Sequence, residues 1–152
     1  MNQEKLDPNQ LREKFELFVF ELSDSLMALN THVKSFERPD LLPLDYSTES
    51  LNRLEEAYKL VLNEDILVVD KDIFTTRVGR YLGETLRRKV GGHWNMCSDP
   101  NNVCYGLPWI TNIPKLPDFG WCPSSVVFNY RAHRRHGLLH KAIDKILKVV
   151  VN

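Results

Sequence analysis

No stretch of ~20 consecutive apolar residues occurs anywhere in the chain, so no membrane-crossing helix is expected. Charged residues recur from Glu4 through Glu16, which leaves no apolar run of the kind a signal peptide needs. The chain also lacks a Gly-rich phosphate loop, a Gly-x-Ser-x-Gly turn and any pair of carboxylates that stands out, so no phosphate-handling or hydrolytic signature points to catalysis. Internal repeats and low-complexity tracts are missing as well. The net charge is zero, which removes the whole-molecule electrostatic case for binding nucleic acid or an anionic membrane. Cysteine is scarce and odd in number, at Cys97, Cys104 and Cys122, and these are expected as free thiols in a cytoplasmic protein.

What remains is ordinary globular material. With 152 residues, 43% hydrophobic and 26% charged, the chain is long enough to bury a core as one domain without disulfides or metal. The charge is unevenly spread: residues 1–70 carry 15 acids and 7 bases, residues 71–129 carry 4 acids and 7 bases, and residues 130–152 carry 1 acid and 6 bases. Acidic and basic segments that face one another or water account for this; separate patches that recognise a partner are the alternative.

Asp7-Pro8 pairs a helix cap with proline at the first helical position. Leu11, Phe15, Phe18, Leu22, Leu26, Leu29, Val33 and Phe36 then recur at steps of three and four, a long packed helix. Leu17, Phe20 and Met27 widen that stripe past a coiled-coil seam, so packing within the chain is favoured over a helical dimer. A Pro-containing connector, 37–44, leads to a second helix capped by Ser47, with Leu51, Leu54, Tyr58 and Val61 buried and Glu55, Glu56 and Lys59 wet. Ile66 to Val69 reads as a short apolar bridge.

The third helix is the organising element. From an Asp72 cap to the Gly91-Gly92 stop, Phe74, Val78, Leu82, Thr85, Leu86 and Val90 fall on one side, and Arg77, Arg80, Glu84, Arg87 and Arg88 on the other. One side seeks a core and the other water or a charged partner. Arg80, Glu84 and Arg88 can form an ion-pair ladder. Gly79 and Gly83 each cost about 0.5–1 kcal/mol relative to alanine in a helix interior, which marks a close approach by another element.

Beyond it the period changes. His93–Cys97 and Val103–Leu107 flank the turn formers 98–102, predicting a β-hairpin. A Pro- and aromatic-rich stretch follows, with one more short strand near Ile110–Ile113 or Trp121. Val126 to Arg135 is read as a helix capped by Ser124-Ser125, although Val126, Val127 and Phe128 suit a strand nearly as well. Leu138 to Val150 is an amphipathic closing helix.

Two constellations invite chemistry. His133, His136 and His140 would share a face if one helix ran through Gly137 and could then hold a metal, but three nearby arginines repel a cation and no His-Glu-x-x-His is present, so a solvated basic segment is favoured. The three cysteines with His93 supply four zinc ligands in number at spacings of seven and eighteen, without the paired knuckle; a cysteine nucleophile helped by His93 and Asp118 has no specific support. No cofactor is expected. The aromatics Trp94 and Trp109, beside Arg87 and Arg88, fill a core or, exposed, anchor a protein partner.

The segment Asp45–Leu51, the block Tyr81-Leu82-Gly83-Glu84-x-x-Arg87-Arg88-x-x-Gly91-Gly92-x-Trp94 and a Pro123 segment before a final helix together resemble a group of small bacterial domains of unknown function, found alone or near secretion and toxin-immunity loci. The resemblance covers most of residues 45–130. It implies an α+β fold, a bacterial origin and immunity-type binding, and it supplies no catalytic residue.

These readings converge on a single α+β domain spanning 1–152, in which N-terminal helices and a central helix pack on a small antiparallel sheet closed by a C-terminal helix. The expected function is non-enzymatic protein binding, as an inhibitor or immunity-like protein, through Arg77, Arg80, Glu84, Arg87, Arg88, Trp94 and Trp109. The partner is another protein; nucleic acid and membrane are not expected, and the chain is a monomer or homodimer. A small metal-dependent or cysteine hydrolase-like enzyme and a helical dimerisation scaffold are the alternatives.

Overall fold

A computed structural model describes residues 5–67 and 70–151, so Val68 and Val69 of the expected apolar bridge lie outside the described residues. Those described form five α-helices and a two-stranded antiparallel sheet, an α+β arrangement closed by a C-terminal helix. No described helix is long and apolar enough to cross a membrane.

Helix α1, Pro8–Ser35, starts where its chemistry says it should. Asp7 accepts from the Gln10 amide at 2.8 Å while the Gln10 side chain accepts from the Asp7 amide at 2.9 Å, a capping box followed by proline. Phe18, Ser25, Leu29 and Val33 are buried against α3 and β1. The widened stripe is not: Leu17, Phe20 and Met27 are 57%, 80% and 66% exposed. The helix is covered on one side only, so a stripe broader than that contact cannot all go inside.

Helix α2, Thr48–Leu62, is capped by Ser47, whose hydroxyl accepts from the Ser50 amide at 3.1 Å, and it buries the four expected residues. Glu55, expected wet, is buried instead. Its carboxylate accepts from the amides of Gly137 at 2.8 Å and Leu139 at 3.3 Å. It thereby caps helix α5, Leu138–Val151, whose first turn has donors with no partner inside the helix.

Helix α3, Lys71–Val90, runs through the middle and packs on α1, α2, α4, α5 and β2. Asp70, not Asp72, caps it, accepting from the amides of Asp72 and Ile73; Asp72 instead meets Arg131 at 2.8 Å. The helix stops at Gly91, whose φ of 82° suits glycine. Because neighbours surround it, Tyr81 and Glu84 are buried along with the apolar face.

The hairpin forms with a different partner strand. β1, His93–Met96, pairs with β2, Pro108–Thr111, in the register Trp94 to Ile110 and Asn95 to Trp109. Residues 99–107 fold into successive turns, with amide-to-carbonyl bonds from Asn102 to Asp99, Tyr105 to Asn102 and Leu107 to Cys104, so of the expected partner Val103–Leu107 only the far end pairs, the Cys97 amide donating to Leu107 at 3.0 Å and the Gly106 amide to Cys97 at 2.8 Å. The extra short pairing is present: Ile110 and Trp121 exchange two backbone bonds at 2.8 and 2.9 Å. The segment that suited strand and helix alike is helix α4, Pro123–His133; Cys122 is its N-cap and Pro123 its first residue, so Ser124 and Ser125, the expected caps, lie inside the first turn. It ends at Arg134 (φ 54°), and Gly137 (φ 79°) separates it from α5.

Candidate docking cleft

The expected arginine face is not a free surface, because α1 lies over half of it. Arg77 meets the Nδ1 of His32 at 2.8 Å. Burial and then the Arg77 charge push the His32 pKa below its ordinary value, which keeps the imidazole neutral and able to accept. Arg80 donates to the Ser25 hydroxyl, lies 3.8 Å from the Glu21 carboxylate and sits 5.4 Å from the centre of the Phe18 ring.

Farther along α3, Glu84 is the hub. It is 3% exposed, accepts from Arg87 Nε at 2.7 Å and Trp94 Nε1 at 3.1 Å, and has Arg88 Nε at 3.6 Å. Burial works to raise its pKa, but the hydrogen bonds from Arg87 and Trp94 and the two guanidinium charges outweigh it and hold the carboxyl below the ordinary glutamate range. Arg88 covers the Tyr46 ring, 3.6 Å from its centre. Half of the expected ladder therefore exists: Glu84 pairs with Arg88, while Arg80 turns to Glu21 on α1.

Of the two glycines on α3, Gly83 seats the indole. A Cβ there would collide with the Trp94 ring at Cη2 and lie 3.0 Å from Pro123 Cγ. Gly79 does something else. A Cβ at that position would meet only Ser124 Oγ and Val127 Cγ2, both at an ordinary 3.9 Å. The missing side chain leaves the floor of a cleft low.

That cleft, of about 270 Å³, lies between α1, α3, α4 and the loop through Gly106–Pro108. Gly79, Val127 and Trp94 line it, Arg80 and Glu21 supply charge at one wall, and Leu17 (57% exposed) and Phe128 (53% exposed) line it from α1 and α4. Of the residues expected to bind, the cleft gathers Arg80 and Trp94. Glu84, Arg87 and Arg88 stand behind the indole as its support, and Arg77 stays under α1. Trp109 is placed apart, since the register puts it with Asn95 on the face of the hairpin opposite Trp94 and Ile110, against Gly120.

Neither chemical constellation assembles. The break between α4 and α5 separates His133 from His140, whose ring nitrogens face Asn52 and Asp144. Among the described residues no three His, Cys, Asp or Glu side chains are placed to hold a metal. Cys104 and Cys122 are joined in a disulfide with Cα atoms 6.5 Å apart, and Cys97 is fully buried, so the expected free thiols number one and it is closed to a substrate. Sequence spacing could not pair these cysteines, because the turns that bring Cys104 under the start of α4 are tertiary. The cleft itself left two traces in the sequence, an in-helix glycine with no turn to make and an α1 stripe too wide for one interface. Comparison with known proteins returned no match among family models, curated proteins or solved structures.

Proposed function

We propose that this chain is a non-enzymatic protein-binding module that receives an apolar side chain of its partner in the cleft between α1 and α4. The carrying observation is the low floor at Gly79: an apolar slot, open to solvent, between two large hydrophobic side chains that the fold leaves half exposed. Buried anchors in such slots carry most of the energy of many protein interfaces. Arg80, held in place by Ser25 and Glu21, gives the slot a charged edge for orienting the partner. An inhibitor or immunity-like role is the form of such binding that the sequence resemblance implies.

The alternatives draw less support. A thiol enzyme lacks an accessible thiol, and a histidine metal site lacks convergence. The free thiols expected of a cytoplasmic protein give way to the Cys104–Cys122 bridge, a bond that persists in oxidising compartments, so the bridge does not favour the cytoplasmic placement.

The test is capture of partners from the source cell on immobilised protein. Gly79→Leu fills the slot and is expected to lose proteins that wild type and Gly79→Ala both retain, with all three equally folded by circular dichroism. Retention of the same proteins by Gly79→Leu overturns the reading. Removing all four arginines is a poor substitute, because Arg80 and Arg87 hold the fold's own contacts.

A further inference from the structure

A second groove, of about 490 Å³, lies between α4 and α5 on another part of the surface. Val126, Leu138, Ala142 and Ile146 line it with Trp121, and Arg135, His136, Lys141 and Lys145 stand around it. Among the described residues no ion pair engages Arg135, Lys141 or Lys145. No carboxylate lines the groove. An apolar trough edged by unneutralised cations fits a helix that carries apolar side chains among carboxylates.

This chain presents such a helix. At 100° per residue, the outward face of α1 centres on Phe20, with Leu17 and Met27 beside it and the exposed carboxylates of Glu13, Glu16 and Asp24 around them; Glu16 lies 3.8 Å from Arg12 in a solvent-exposed pair, while no ion pair among the described residues engages Glu13 or Asp24. Phe20 stands three residues after Leu17 and seven before Met27, steps that anchors of a groove-bound helix use. Two copies meeting through α1 alone would set these carboxylates against one another, whereas α1 against the α4–α5 groove sets them against cations. We infer that the protein self-associates head to tail, the outer face of α1 of one copy seated in the α4–α5 groove of the next. Such contact uses a different patch on each partner, so it propagates into a ring or an open chain rather than stopping at a symmetric pair.

Light scattering across a concentration series tests this. Wild type is expected to gain mass with concentration at about 0.05 M salt and to revert toward single chains at about 0.5 M, where charge pairing is screened. Phe20→Glu, the α1 reversal Glu13→Lys with Glu16→Lys and Asp24→Lys, and the groove reversal Lys141→Glu with Lys145→Glu are each expected to stay single. These positions are exposed, so the variants keep the fold, which circular dichroism verifies. An equimolar mixture of the two charge reversals is expected to associate again, since each restores the complement the other lost. Wild type that stays single at every concentration overturns the inference; so does association of the groove reversal alone, which would place the contact on α1 of both copies. Gly79→Leu is expected to self-associate like wild type, so failure here and failure of the binding cleft are separate results.

Discussion

Two glycines four residues apart on one helix predict opposite outcomes. Gly79→Ala places a methyl at ordinary contact distance and removes a glycine from a helix interior, so it is expected to stabilise the protein by about 0.5–1 kcal/mol in urea denaturation. Gly83→Ala drives a methyl into the Trp94 indole and Pro123, and overpacking of that kind is expected to cost about 1–3 kcal/mol. Both glycines are visible in the sequence as anomalies; which one opens space and which one is filled depends on where the hairpin puts Trp94, a fact no helical wheel contains. Glu84 carries the clearest pH signature at this scale. Its folded pKa lies below the ordinary value of 4.5, so the unfolded chain takes up the proton first. The stability it contributes is complete above about 4.5 and is lost as pH falls through the lower, folded pKa. Between those points Glu84→Gln is expected to show a flatter dependence of unfolding free energy on pH than wild type, and parallel curves would contradict the depressed value.

At the level of elements, the starts of α1 and α2 are legible, whereas α3 is capped at Asp70, two residues before the expected Asp72, and α4 begins ahead of the Ser124-Ser125 pair. Asp7-Pro8 and Ser47 cap α1 and α2 where local chemistry places them, and Gly91 ends α3. Such signals depend on two or three adjacent residues, which is why they survive without tertiary knowledge. The start of α5 is different, since its cap comes from Glu55, more than eighty positions earlier in the chain. Glu55→Ala is expected to cost about 1–3 kcal/mol by leaving the buried Leu139 amide and the half-buried Gly137 amide without an acceptor, and to speed amide exchange in the first turn of α5. The hairpin's main partner differs from the expected one for a related reason: Val103–Leu107 suits a strand by composition, but Asn102 and Gly106 turn the backbone and most of the pairing passes to Pro108–Thr111. Pattern marked the strand-forming region and left its register open.

For the molecule as a whole, the central helix is the correction with the widest reach. Hydrophobic periodicity identified α3 and its apolar side, yet the opposite side is half roofed by α1, and its arginines are mostly spent on Ser25, His32 and Glu84. A helix at the centre of five elements has little outside left, and composition alone cannot reveal that. The roof supplies a simple stability contrast: Phe18→Glu puts a charge at a buried position and is expected to unfold the protein, while Phe20→Glu, two residues on and 80% exposed, is expected to leave the melting temperature nearly unchanged.

The Cys104–Cys122 bond belongs to this scale too, because it fastens the loop leading into Gly106–Pro108 to the N-terminal end of α4, on two sides of the slot. Replacing both cysteines with serine is expected to cost about 3 kcal/mol from the freed loop, measured by denaturant titration. Cutting that tie with a strong reductant is expected to free the loop from α4 beside the slot, so partner retention measured with and without reductant should differ if the clasp sets the slot's shape.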